Sequence, residues 1–214
     1  MSNELQTKVT EYIPFAAKDS IKLSIQIVRD FIAVPTKSGA MPSEKDCVKF
    51  LMLCKTRLLN PFEGDAFLIG YDGKDGAQFS LITAHSAFLK RAESSGEYDG
   101  MESGVIVQRG NAVEDRKGDL TLDGEVLLGG WATVYFKTRS HPMEKRLKLS
   151  TFNKGYSRWN VDPAGMIVKC AEADALRSSF PSLLAGMYLE HEMAPEVPPE
   201  PNSLPMGRVR MRQP

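Results

Sequence analysis

The chain has 214 residues, with 27 basic and 27 acidic side chains and three cysteines. That length suits one domain of roughly 150–200 residues plus tails. No run approaches the roughly 18 apolar residues of a membrane span, and MSNELQTKV has no signal-peptide core, so a cytoplasmic protein is expected. Cys47, Cys54 and Cys170 cannot all pair and form no C-x-x-C, which points to reduced thiols rather than a disulfide frame.

Residues 1–17 lack strong periodicity and read as a flexible arm, and 18–192 read as the core. Ser20 to Val34 reads as a helix with Ile21, Ile25, Val28 and Ile32 on one face and Pro35 as its stop. PTKSGAMP is a linker by composition. Ser43 opens a second helix, with Asp46 at the capping-box position. Its stripe is Cys47, Phe50, Leu51, Cys54 and Leu58, which makes the cysteines packing residues. Asn60-Pro61 ends it.

Two short strands follow, Ala66 to Tyr71 and Ala77 to Leu81, joined by the turn DGKDG. Thr83 can cap a third helix that runs to about Ser94. Three more strands are expected at 104–109, 126–137 and 145–150, the first two joined by an acidic loop at 110–124. From Trp159 to Pro181 the chain reads as a closing helix. Asp162 can cap it, Pro163 fits its first turn, and Met166, Ile167, Cys170, Ala171 and Leu176 line its apolar stripe. Phe180-Pro181 stops it. The segment 193–214 is rich in proline with a basic end at Arg208, Arg210 and Arg212; it reads as a flexible tail.

The net charge is zero, but the charges are segregated. Nine acidic residues stand against three basic ones between Glu93 and Glu125. Between Lys137 and Arg158 there are seven basic residues (Lys137, Arg139, Lys145, Arg146, Lys148, Lys154 and Arg158) and one acid, Glu144. Strand alternation puts Arg146 and Lys148 on one face and Lys145 on the other with Leu147. Tyr135, Phe136, Phe152, Tyr156 and Trp159 interleave with these cations. Cations that track phosphates, with aromatic rings for stacking, suit sequence-tolerant binding of single-stranded nucleic acid. A charged sheet face over an aromatic core explains the same residues. Lys169 and Arg177 on the closing helix extend the basic set; Asp174 and Arg177 also have the i,i+3 spacing of a helix ion pair.

Motifs for nucleotide hydrolysis and nucleophilic catalysis are absent: there is no G-x-x-x-x-G-K-[ST] and no G-x-S-x-G. His85, His141 and His191 lie far apart, without metal-ligand spacing. The carboxylates at 93–125 could serve a Mg²⁺-dependent nuclease only if they converge; otherwise they form a solvated acidic segment.

Several short motifs occur in order. They are Cys54-Lys55-Thr56-Arg57-Leu58-Leu59-Asn60-Pro61-Phe62, Thr83 with Phe88, Tyr98-Asp99-Gly100-Met101, Gly130-Trp131, and Trp159, Pro163 and Met166 followed by Ala171, Arg177 and Phe180-Pro181. In this order they resemble the RecT/Bet family of phage single-strand annealing proteins, over about Lys49 to Tyr188. Family members carry basic residues just after the proline of the closing helix, where this chain has Ala164 and Gly165.

The resemblance implies an α+β fold, a small antiparallel β-sheet packed against helices. It implies a non-enzymatic recombination protein without a cofactor, Mg²⁺ acting at most as a DNA counterion. The expected partners are single-stranded DNA, the annealed duplex, further copies in a ring or helical filament, a host single-strand-binding protein and a phage exonuclease. The candidate DNA-binding residues are Lys137, Arg139, Lys145, Arg146, Lys148, Lys154, Arg158 and Trp159 from the basic stretch, with Lys169 and Arg177, to which the resemblance points. Other readings are a passive single-strand binder, a Mg²⁺-dependent nuclease, and an interaction protein that recruits partners through its tail.

Overall fold

The computed structural model describes residues 9–73, 76–153, 155 and 158–189. The tail at 193–214, Tyr156 and Lys154 lie outside them. The fold is α+β, with three small sheets and a helical layer.

Near the start, β1 (Thr10–Tyr12) pairs antiparallel with β2 (Ile21–Leu23). Tyr12 is buried, and its hydroxyl donates to the Leu59 carbonyl at 2.5 Å. Part of the expected arm is therefore tied to the core. The expected helix over 20–34 is broken into four elements, the first of them β2. After β2, Ser24 caps α1 (Ile25–Ile27), which runs into a π-helical turn (Val28–Ile32) and then β3 (Ala33–Val34). Of the expected apolar face, Ile25, Val28 and Ile32 are buried and Ile21 is partly buried on β2. The helical period does not run through the segment, because Ser24 satisfies backbone at a new helix start and releases the residues before it to a strand.

α2 (Glu44–Arg57) has the expected capping box of Ser43 and Asp46. Cys47, Phe50, Leu51 and Cys54 form its buried side. Burial pushes the Cys47 thiol up to about 11 and the Cys54 thiol up to about 12. The hairpin of β4 (Ala66–Gly73) and β5 (Gly76–Thr83) follows, with β3 added parallel to β4. α3 (His85–Ser94) starts at Ala84 without a side-chain cap; Thr83 instead ends β5. Arg91 of α3 is buried, donates to the Arg57 and Leu58 carbonyls at the end of α2, and stacks 4.4 Å over Phe15. These are carbonyls that a helix end leaves without intrahelical donors.

The main sheet has the order β7-β6-β8-β9, all antiparallel. β6 (Tyr98–Arg109) is twice its expected length. β7 (Ala112–Lys117) occupies what reads in sequence as acidic loop. Its EDRK core has no apolar alternation, so only pairing with β6 makes it a strand. β8 (Val126–Phe136) and β9 (Met143–Lys148) match their expected places within two residues.

A short helix α4 (Leu149–Phe152) and then α5 (Arg158–Val161) lead into α6 (Pro163–Ser179). The expected closing helix is thus split at Asp162, whose carboxylate caps α6 through the Gly165 N–H at 2.8 Å. α7 (Pro181–Leu184) follows after the break at Phe180. α6 lies against the inner face of the main sheet, where Ala132, Val134 and Phe136 meet Ala171, Ala175 and Phe180 in one core. At Gly130 the approach is closest: a Cβ there would stand 2.9 Å from the Ile167 carbonyl oxygen.

Candidate nucleic-acid interface

β9 sets the cations by its two-residue period. Glu144, Arg146 and Lys148 are exposed on the outer sheet face; Met143, Lys145 and Leu147 turn toward α6. The inward Lys145 reaches Asp174 of α6 at 3.5 Å. The outward Arg146 holds Glu144 at 2.8 Å and also Asp115 of β7, across the sheet. Lys117 on β7 pairs likewise with Glu102 of β6. Lys148 makes no ion pair among the described residues.

The second cation at the head of this segment, Arg139, is engaged. Its guanidinium stacks 4.3 Å over Phe136 and pairs with Glu97 at 3.2 Å. Lys137 is exposed, and its backbone N–H donates to the Glu97 backbone carbonyl at 2.9 Å.

The aromatic residues interleaved with the cations divide. Trp159 is 2% exposed and packs with Met166, Ile167 and Cys170, so its ring belongs to the core rather than to a stacking surface. Phe136 is buried against Phe180, ring centroids 5.7 Å apart. Phe152 packs against the Trp159 cluster. Tyr135 alone of the described set is exposed, on the outer face, with its hydroxyl donating to Glu102 at 3.2 Å.

On α6, Lys169 is exposed while Arg177 is fastened. Arg177 donates to the Met187 carbonyl at 3.0 Å, pairs with Asp174 at 3.2 Å, and lies 5.1 Å over Tyr188. The i,i+3 pair legible in the sequence is therefore present, and Asp174 is shared by Arg177 and Lys145. Ala164 and Gly165, the two residues after the proline that opens α6, are interior. Ala164 packs with Val105, Val107 and Val168, and a Cβ on Gly165 would meet the capping Asp162 carboxylate at 2.5 Å. A long cation does not fit at either place without moving the cap or the sheet.

One polar centre had no signal in the sequence. Glu172 of α6 accepts from the Ser103 hydroxyl of β6 at 2.6 Å and lies 2.9 Å from His85 Nε2 of α3. Burial alone would raise its pKa. The hydrogen bonds from His85 and Ser103, with charge from His85 and Lys169, outweigh burial and hold it below the ordinary value. Residues 69 and 87 positions apart in the chain meet here, which no local pattern announces.

The acidic segment is spread out rather than convergent. Glu97, Glu102, Asp115 and Glu125 each face a different cation, and no group of three or more His, Cys, Asp or Glu converges among the described residues. Lys148 ends β9 on the outer sheet face, Arg158 opens α5, and Lys169 stands on α6, the helix packed against the inner face. Lys137 and Arg139 lie just after β8. Arg158, like Lys148 and Lys169, is exposed without an ion pair among the described residues.

No described helix is long and apolar enough to cross a membrane. Comparison with curated proteins finds no match. The family model described as "RecT family" matches residues 21–205, most of the chain and all of the sheet–helix core around this site. The chain belongs to the RecT family.

Proposed function

We propose that this protein binds single-stranded DNA and anneals complementary strands during phage recombination, without nucleotide hydrolysis and as a homo-oligomer. Membership of a family of annealing proteins supports the reading. The observation that carries it to particular residues is that Lys148, Arg158 and Lys169 are each exposed and make no ion pair among the described residues. Lys154 falls between the first two in sequence and extends the same set. Arg146, Lys145, Arg139 and Arg177 already hold carboxylates and hydrogen bonds of the fold. They contribute to the field, and an exposed pair such as Arg146–Asp115 can open to a phosphate.

The chemistry is electrostatic. Two complementary strands repel along their phosphates. Cations neutralise one backbone and release counterions, so affinity falls steeply with salt. Contact with the backbone leaves base edges free, and base pairing reads the sequence. An oligomer multiplies weak contacts through effective concentration. Duplex stability drives the reaction forward, so no nucleotide is consumed.

The test is annealing of complementary oligonucleotides in nucleotide-free buffer. The expected result is acceleration that weakens as salt rises. Coating of single strands without acceleration identifies a passive binder. Degradation that depends on Mg²⁺ and stops with chelator identifies a nuclease. Either result removes the annealing reading.

A further inference from the structure

The main sheet ends in two bare edges, β7 and β9, each six residues long. Among the described residues no backbone hydrogen bond reaches the outer side of either strand. An unpaired edge is a template for another strand.

The direction of the edge groups follows from the turn at Gly110-Asn111. Arg109 and Ala112 flank this two-residue hairpin, so they exchange both backbone bonds. Bonding then alternates. Ala112, Glu114 and Arg116 bond to β6, while Val113, Asp115 and Lys117 turn their N–H groups outward. The Val105 N–H to Gly118 carbonyl bond and the Gly118 N–H to Ser103 carbonyl bond fit the same phase. Carried across β6 and β8, the alternation leaves Glu144, Arg146 and Lys148 with outward N–H groups on β9.

Strand direction and charge then choose the partner. Four antiparallel strands in a row make β7 and β9 run in opposite directions. A second copy in the same orientation therefore brings its β7 antiparallel to the first copy's β9. With Asp115 of the partner subunit opposite Arg146, Lys117 of the partner subunit falls opposite Glu144 and Val113 of the partner subunit opposite Lys148. Both charged pairs are of opposite sign on the outer face, which favours this register. Within one chain Arg146 and Asp115 already attract each other across the sheet, so the assembly exchanges an internal pair for an external one. A two-fold contact of β9 with itself sets Arg146 against Arg146 when centred on Arg146 and against Glu144 when centred on Lys145, and in either register it leaves β7 bare.

We infer that copies of this chain join head to tail, β7 of one onto β9 of the next, so that one antiparallel sheet runs through the assembly. This deepens the homo-oligomer part of the proposed function and rests on it. A head-to-tail contact closes into rings or runs on as filaments.

The test uses Val113→Pro and Glu144→Pro, which remove an outward donor from one edge each and leave the internal ladders their bonds. Sedimentation velocity is run without DNA, and circular dichroism checks the fold. The expected wild type is larger than a dimer, and each variant sediments as a single subunit. An equimolar mixture of the two forms a dimer and nothing larger, because only one good edge of each kind remains. Wild-type size in either variant, or a dimer from Glu144→Pro alone, overturns the proposal. Where proline unfolds the chain, Val113→Lys sets like charge against Lys148, and its expected result is a loss of assembly in low salt. Wild-type protein that assembles but fails to anneal rejects the annealing reading and leaves this one standing. Wild-type protein that anneals as a single subunit rejects this one alone.

Discussion

At the scale of single residues, charge count and available charge differ. Arg177 and Lys148 are both cations of the candidate set, but their surroundings separate them. Arg177 is held by Met187, Asp174 and Tyr188. Arg177→Ala is expected to cost about 1.5–3 kcal/mol, the range for hydrogen bonds to charged groups, and to read out as a lower Tm. Lys148→Ala and Lys169→Ala should leave Tm within a degree or so, weaken single-strand binding, and each reduce the salt slope of binding by about 1. Equal Tm losses in all three would overturn this division. Glu172 gives a pH dependence. Its carboxylate is held below the ordinary value in the fold, so its contribution is present above the unfolded value of about 4.3 and is lost as pH falls through the lower folded value. Melting of wild type and Glu172→Gln across pH should show the widest Tm gap near neutrality and a closing gap below about pH 4.

At the scale of elements, α6 is the piece that turns a sheet into a platform. Its start depends on Asp162 and its seating on Gly130. Gly130→Ala places a methyl 2.9 Å from the Ile167 carbonyl oxygen, where backbone rather than a flexible side chain must give way. The expected cost is about 1–3 kcal/mol of overpacking, a Tm fall of several degrees, checked by thermal melting. An unchanged Tm would show that the helix can lift from the sheet freely. Elements with strong local signals were legible from sequence. α2 was, because Ser43 and Asp46 cap it and Cys47, Phe50, Leu51 and Cys54 repeat at helical spacing. The β4–β5 hairpin was, because glycines punctuate it. β7 and the β1–β2 pair were not, since strands of three to six polar or mixed residues exist only through their partners.

At the scale of the whole molecule, a formally neutral chain carries a local field. Seven acids fall on β6, β7 and the loop after them, while Lys148 on β9, Arg158 on α5 and Lys169 on α6 are exposed without ion pairs among the described residues. For nucleic-acid binding the distribution matters more than the sum, because screening confines each charge to about 10 Å at 0.1 M salt. Annealing without nucleotide is the prediction at this scale, with the oligonucleotide assay as its measure. The edge-to-edge assembly proposed above would repeat these cations along a bound strand.

The sequence by itself determined the family, the α+β class, the capped helices, the buried cysteines and the alternation that splits Arg146 and Lys148 from Lys145. All of these rest on local spacing or on motifs read in order. Only the tertiary structure decided which cations are uncommitted, because a salt bridge such as Arg146–Asp115 joins residues 31 positions apart. It also decided that Trp159 is core and that Ala164 and Gly165 are interior, since burial depends on what packs from the other side. The closing segment at 159–181, one helix by periodicity, is two helices around Asp162, because a capping carboxylate holds the second start once the sheet fixes where α6 must lie.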